Sequence, residues 1–547
     1  MKKLLFVIAI VLSKNMLATT ISITVQPYPI NITTSGLDIN WSTNISGSTY
    51  IIYGLTNNLE LGILNGIGGN TTHAVSITGA NPATIYYAQV FSVSGVDTAS
   101  STIGVYSTQS LSSGMIKVYF DKTVDTSYST GTNAIRLPGN IPDTIQAYIN
   151  RAIYSLDICM YDFTISTIDT AINQAWARGV KVRVIYDGST SSSSIAYLDS
   201  AIPRVASPQG SGYTIMHNKF VIIDVDSPNP NDPIVWTGST NWTAEQVITD
   251  DNNVIIFQDQ SLAKGYTLEF NQMWGDTGMV ADSAASRFGQ YKIDCTPHIY
   301  FIGGNLVESY FSPSDGTNAH ILSAIQTANA QICVAMYSFT RTDLADAMES
   351  FYTNNGHNVF AVMDPSTTSY AGYISLLATI GNHLKIYTEG GLEHNKYMIV
   401  DETDTSSDPL VLTGSHNWST SAETSNDENT VIVHNATIAN IYYQAFMKRY
   451  NSNQSPSGIE EIASESGFGI YPNPTNGQFT ISYSSNQNEK TYIKVMDLSG
   501  RVIFDESLNM VSGVNKQDLN LLGLSSGMYF IELNTSGNHL TQKLIIE

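Results

Sequence analysis

Histidine, lysine and aspartate recur at one spacing in two places, as His217-Asn218-Lys219-Phe220-Val221-Ile222-Ile223-Asp224 and as His394-Asn395-Lys396-Tyr397-Met398-Ile399-Val400-Asp401. Each string is followed, after a loop, by a second matched one: Thr237-Gly238-Ser239-Thr240-Asn241-Trp242 and Thr413-Gly414-Ser415-His416-Asn417-Trp418. In a strand, residues two apart face the same side, so His217 and Lys219 project together, and Ser239 and Asn241 do likewise. Asp224 has the opposite parity and reads as a brace of the motif, as does Asp401. One half therefore offers imidazole, ammonium, hydroxyl and amide. Doubling that set around one point suits a phosphodiester. Two cations neutralise the phosphoryl oxygens as charge develops, and Ser and Asn donors fix their positions. One imidazole attacks phosphorus while the other protonates the leaving oxygen and then activates water. An unperturbed pKa of about 6.5 suits histidine to both tasks. A single H-x-K string reads more readily as a satisfied core residue; two complete copies reverse that reading.

The elements that must carry these residues are also duplicated. After Pro142, which a helix start tolerates, Ile145, Tyr148, Ile149, Ala152 and Ile153 mark one apolar helical face. A strand from Leu156 to Phe163, a helix carrying Ile168, Ile172 and Ala175, a stop at Gly179 and a strand from Val180 to Tyr186 follow. The order returns with Ile321, Ala324, Ile325 and Ala328 on a helix face. There Met336-Tyr337-Ser338-Phe339-Thr340 echoes Met160-Tyr161-Asp162-Phe163-Thr164. The motif histidines lie 177 residues apart and the two Met-Tyr-x-Phe-Thr strings 176, so the repeat unit is a domain. Two equivalent α/β lobes are expected to pack about a pseudo-twofold axis that brings both motifs together.

The flanking segments differ in kind. Residues 19–110 show short alternating runs between Gly, Asn and Ser clusters, an all-β sandwich pattern. Trp41, the run Tyr50-Ile51-Ile52-Tyr53-Gly54 and Tyr86, placed where a tyrosine corner would lie, resemble a fibronectin type III module. Such a module suits a spacer or the binding of a surface ligand. Residues 1–18, with Lys2, Lys3 and the apolar run Leu4 to Leu12, read as a secretory signal peptide with Ala18 as the candidate cleavage point. No later stretch approaches the roughly 20 apolar residues of a membrane-spanning helix, so no integral membrane segment is expected in the mature chain. The net charge of -22, from 25 basic and 47 acidic residues, disfavours general affinity for nucleic acid or anionic membrane. Cys159, Cys295 and Cys333 are too few for a disulfide framework, and neither a metal site nor a cofactor is expected.

The doubled motif resembles the phospholipase D superfamily across 111–450. That resemblance implies a two-lobed fold, with lobes over 111–283 and 284–450. It also implies a phosphohistidine intermediate, no metal requirement, and catalytic residues His217, Lys219, Asp224, His394, Lys396 and Asp401. Asn241 and Asn417 would bind phosphate, with Ser239 and Ser415 in support. A linker over 451–467 leads to a last β-rich segment. There Tyr471-Pro472-Asn473-Pro474-Thr475-Asn476-Gly477, Val495-Met496-Asp497-Leu498-Ser499-Gly500-Arg501-Val502, Ser526-Gly527-Met528-Tyr529 and Lys543-Leu544-Ile545-Ile546 resemble a type IX secretion C-terminal sorting domain over 468–547. This implies engagement of the type IX secretion machinery and a secreted or cell-surface destination.

The superfamily usually has an acidic residue shortly after the motif Asn, oriented toward an imidazole. Glu428 fits that place after Asn417, whereas Asn252 holds it after Asn241. Read within each half, Glu428 serves His394 and makes it the more basic histidine, while Asn252, or Asp251 by a small shift, orients His217. The superfamily more often takes its nucleophile from the first motif, which opposes that reading. Three functional readings stand: hydrolysis of phospholipid head-group phosphodiesters, which the chain's acidity favours; metal-independent endonuclease action; and surface binding by a catalytically inactive chain.

Overall fold

In 20–110 the period-two alternation becomes two facing sheets. Strand Ile85–Ser94 alternates half-exposed and buried residues along most of its length. One sheet joins Ile23–Thr33, Gly36–Gly47 and Asn70–Thr78; the other contains Tyr50–Gly54, Gly62–Asn65, Ile85–Ser94, Asp97–Ser100 and Gly104–Ser107. Between them lie Leu37, Ile39, Trp41, Ile51, Val75, Tyr86 and Val90. The Trp41 indole stacks on His73 and donates to Ser92 Oγ at 3.0 Å, so its one polar atom is satisfied inside the core. This computed structural model describes residues 20–453, 455 and 468–546, except 138, 211, 405, 472, 474, 486, 498, 499 and 536–538. The signal-peptide segment, most of the 451–467 linker and Pro472, Pro474, Leu498 and Ser499 of the terminal motif lie outside the described residues.

Two mixed α/β sheets follow. The first runs, edge to edge, Ile135–Arg136, Ile116–Phe120, Asn253–Phe257, Ile234–Gly238, Lys219–Ile223, Ser155–Met160, Lys181–Tyr186, Arg204–Ala206. The second repeats the pattern through Ile299–Ile302, Asn305–Ser312, Glu428–His434, Leu410–Gly414, Lys396–Val400, Ile332–Met336 and Val359–Met363. Both motif strands are central and buried along their whole length, which is why they read as continuous apolar runs. Facing side chains of both lobes, among them Phe220, Tyr266, Phe311, Tyr397, Tyr442 and Phe446, merge into one core.

One helix ends earlier than its apolar pattern suggests. Ile141–Ile149 buries Ile141, Ile145, Tyr148 and Ile149, but Ile153 is 64% exposed. The physical reason lies in Asp224, whose carboxylate accepts from the backbone N–H groups of Ile153, Tyr154 and Ser155 at 2.6–3.0 Å. Those donors satisfy a buried anion instead of extending the helix. The second lobe repeats the device, Asp401 accepting from the N–H groups of Asn329, Ala330 and Gln331.

The C-terminal segment forms two antiparallel sheets, one of Gly469–Tyr471, Gln478–Ser485 and Gly513–Asn520, the other of Val502–Met510, Glu489–Met496, Gly527–Asn534 and His539–Ile546. Phe479, Ile481, Ile493, Val495, Ile531, Leu533 and Leu544 fill its core.

Candidate active site

Each half of the site is assembled by pairing three strings from one lobe. Met160 stands opposite Lys219 across an antiparallel pair, and Tyr161 N–H donates to Asn218 O at 3.0 Å. A parallel bridge joins Phe163 to Trp242, whose buried rings meet edge to face, so the Met-Tyr-x-Phe-Thr string fixes where the Gly-Ser-x-Asn string leaves the sheet. The second lobe matches with Met336 opposite Lys396 and Phe339 bridged to Trp418. Only glycine serves before the motif serine: at φ +144° and +148°, a Cβ on Gly238 or Gly414 would lie 2.3 or 2.2 Å from the carbonyl of Asn253 or Asn429.

The halves interlock reciprocally. Met216 bridges to Asp427 and Asp251 to Glu393; His217 N–H donates to Asp427 O at 2.9 Å, and His394 N–H to Asp251 O at 3.0 Å. The imidazoles therefore take their partners from the opposite lobe. His217 Nδ1 lies 2.7 Å from Glu428 Oε2, and His394 Nδ1 lies 2.9 Å from Asn252 Oδ1. This corrects the pairing read within each half: Glu428 serves His217, and Asn252 serves His394. Asp251 substitutes for neither, because Arg449 holds it. Ser239 Oγ donates to Asn252 Oδ1 and Ser415 Oγ to Glu428 Oε2, so both hydroxyls support the groups that orient the histidines.

Asn252 Nδ2 donates to Gln246 O at 2.7 Å, which fixes its amide orientation and leaves Oδ1 as acceptor. With acceptors opposite both Nδ1 atoms, each neutral ring carries its proton on Nδ1 and keeps a lone pair on Nε2. Lys219 Nζ and Lys396 Nζ donate to the carbonyls of His217 and His394 at 2.8 and 2.5 Å. Asn241 Oδ1 and Asn417 Oδ1 are both buried without a hydrogen-bond partner, so neither side-chain oxygen is tied to another part of the fold. Asp224 and Asp401 lie at the far ends of the motif strands, where each carboxylate accepts from the backbone donors described above.

Burial dominates the electrostatics. It pushes His217 down to about 4 despite Glu428, and Lys219 down to about 7 despite Glu428, Asp162 and Asp187. His394 is lowered well below the ordinary range by burial and by the charges of Lys396 and Lys219, and Lys396 by burial and by Lys219. Glu428 is held at about 2 because His217 and Lys219 outweigh the burial that raises it. Two lysines, two imidazoles and the ionised Glu428 carboxylate thus share one site, and a bound anion would raise the pKa of both lysines and both imidazoles.

The family model described as cardiolipin synthase, PLD-like domain matches this chain twice, at 145–274 and 321–450. The two lobes are phospholipase D-like domains. They resemble curated relatives such as the mitochondrial cardiolipin hydrolase of Xenopus tropicalis, 37% identical over 127 residues, 23% of this chain and 56% of that one. A phospholipase D of Rickettsia conorii is 34% identical over 24% of this chain and 62% of that one. The chain spans about half the length of the curated relatives it matches. Among solved structures, the phospholipase D family member Nuc from Salmonella typhimurium is 29% identical, with a TM-score of 0.24, over 27% of this chain and 96% of that one. A second family model, the secretion system C-terminal sorting domain, matches 469–547 and indicates a secreted or cell-surface location. Among the described residues, no helix is long and apolar enough to cross a membrane.

Two features of the phospholipase D-like lobes escaped sequence reasoning. Half-exposed Tyr161 and Tyr337 pack against His217 and His394, ring centroids 4.8 and 5.1 Å apart, with a motif lysine Nζ 5.1 Å from each ring centre. Their place in the repeated Met-Tyr-x-Phe-Thr string was the available signal. Away from the site, Asp294, His298 and Asp315 bring three potential metal-ligand atoms within 4.8 Å of one another. His298 lies 3.2 Å from Asp294 and 3.9 Å from Asp315, an imidazole ion-paired between two carboxylates.

Proposed function

We propose that this chain is a secreted phosphodiesterase of the phospholipase D type that hydrolyses phospholipid head-group esters through a phosphohistidine on His217. The carrying observation is the 2.7 Å contact between His217 Nδ1 and Glu428, set against the neutral amide behind His394. Attack of His217 Nε2 on phosphorus places positive charge on that ring, and a carboxylate at Nδ1 stabilises it. His394 needs the opposite property. An imidazolium backed by a neutral amide, near two lysines, gives up its proton readily, which suits an acid acting on a poor alkoxide leaving group.

Binding comes first. The phosphodiester anion sits between Lys219 and Lys396, with Asn241 and Asn417 turned to donate, and its charge raises the pKa of His394 enough for the ring to take a proton. His217 Nε2 then forms the P–N bond as the P–O bond to the leaving group breaks, and His394 Nε2 transfers its proton to that oxygen. In the second half, neutral His394 takes a proton from water. The water oxygen attacks phosphorus, the P–N bond breaks, and His217 returns neutral with phosphatidate released.

Charge around the site supports a substrate with one phosphodiester over a polyanion. Segments 205–218, 239–252, 387–395 and 415–430 contain no Lys or Arg, yet carry Glu245, Asp250, Glu389 and Glu423 besides the acids already placed. A strand of nucleic acid needs several cations along its path, whereas a lipid head group needs only the two motif lysines. The full chain, offered diacyl phospholipids and single- and double-stranded nucleic acid in the presence of chelator, tests the reading. Head-group release is expected; cleavage of nucleic acid without it would overturn the substrate assignment.

A further inference from the structure

Behind the histidine partners lies a second, ionic layer. Glu428 and Asn252 are each preceded by an aspartate whose carbonyl receives the N–H of the opposite lobe's motif histidine. Both aspartates are buried, and each is met by one buried cation. Asp427 Oδ1 accepts from Gly289 N–H at 2.7 Å and lies 3.4 Å from Lys292 Nζ, which in turn lies 2.5 Å from Glu269 on helix Gln260–Trp274. Asp251 is bonded by Arg449 Nε; Arg449 also donates to Glu389 at 2.9 Å and to Thr123 O at 2.6 Å.

The two cations come from unrelated places. Lys292 belongs to the irregular connection between the lobes, and Arg449 to helix Ala436–Ser452. Duplication of the domain does not account for them, because Lys292 falls between the two repeats, 145–274 and 321–450, and among the described residues the cation paired with Asp427 is Lys292. Yet both reach the same point, one residue from the group that orients a histidine, and both tie it to another part of the fold. Burying these charges is costly unless they are paired, so the pairs constrain the segments they join.

We propose that Lys292 and Arg449 are positioning residues of the reaction, acting across the lobe interface: the Lys292–Asp427 tie sets Glu428 on His217, and the Arg449–Asp251 tie sets Asn252 on His394. The inference rests on the division of labour given above, and predicts that the two ties govern different chemistry. Loosening the first impairs nucleophilic attack whatever the leaving group. Loosening the second impairs proton donation, so within the phosphorylation step it matters only for a leaving group that needs a proton.

Pre-steady-state bursts on a p-nitrophenyl phosphodiester, whose phenolate leaves without a proton, and on an alkyl phosphodiester separate the two. Removing Lys292 alone would strand Glu269 and Asp427 as buried unpaired acids, so the test uses the neutralised set K292M/E269Q/D427N and the pair R449M/D251N. Circular dichroism and thermal melting confirm folding of each. The first set is expected to slow the burst on both substrates about tenfold or more, the scale of residues that orient active-site ligands. The pair should slow the alkyl burst alike and leave the nitrophenyl burst within about twofold, and K292R alone, which keeps both carboxylates paired, should stay near the parent rate on both substrates. Bursts that fall equally on both substrates in both variants, or stay at the parent rate, overturn the ties as positioning devices. A parent chain that forms no phosphohistidine on either substrate overturns the phosphodiesterase reading, and the ties with it.

Discussion

Replacing Glu428 by Gln removes one charge from the site while keeping its shape. The carboxylate receives His217 Nδ1 at 2.7 Å, Ser415 Oγ at 2.7 Å and Asn426 Nδ2 at 3.2 Å, and a Gln oxygen can still accept the first two. What is lost is charge assistance to a ring that turns positive on attack. A hydrogen bond to a charged group contributes about 1.5–3 kcal/mol, against about 1 for a neutral pair. The difference is about 0.5–2 kcal/mol, and at about 1.4 kcal/mol per factor of ten the phosphorylation step should slow about 2- to 30-fold. Rapid-quench measurement of phosphoenzyme on a labelled phosphodiester reads that step directly, and substrate affinity should change little because Glu428 does not contact the phosphate. A normal phosphorylation rate in E428Q, with slowed release of phosphate from the enzyme, would refute the assignment of Glu428 to the attacking histidine.

Burial holds Lys219 at about 7, and a bound anion would raise it, so binding takes up protons and weakens as pH climbs above 7. Calorimetry of phosphate binding in buffers of different ionisation enthalpy checks this; absence of proton uptake between about pH 7 and 8.5 contradicts it. Asp224→Asn should cost several kcal/mol in denaturant unfolding, because a buried anion holds three backbone donors, while the turnover of the folded fraction persists. Loss of turnover without loss of stability would return Asp224 to the chemistry. Gly238→Ala meets the Asn253 carbonyl and a positive φ, and should lower both the melting temperature and activity; an unchanged melt would show that the turn relaxes freely.

The repeat, the α/β order of the lobes and the motif strings were legible because local rules write them: apolar runs for central strands, period-3.6 faces for helices, glycine before each motif serine. The partners of the histidines were not. Glu428 follows Asn417 by eleven residues, so reading along the chain assigned it to His394; the reciprocal bridges Met216–Asp427 and Asp251–Glu393 carry it across the interface to His217. No local pattern encodes that exchange. Lys292 gave no signal because it stands in an irregular connection, and Arg449 reads as an ordinary helix residue until Asp251 is placed against it. The early end of the helix at Ile149 was equally hidden, since its cause is an aspartate more than 70 residues away.

The central claim is that charge behind the histidines selects which one attacks. Mass spectrometry of the chain quenched during turnover of a phosphodiester locates the phosphate. The account predicts it on His217, accumulating in His394→Ala and absent from His217→Ala. Phosphate on His394, or a phosphoenzyme formed by His217→Ala, would contradict it.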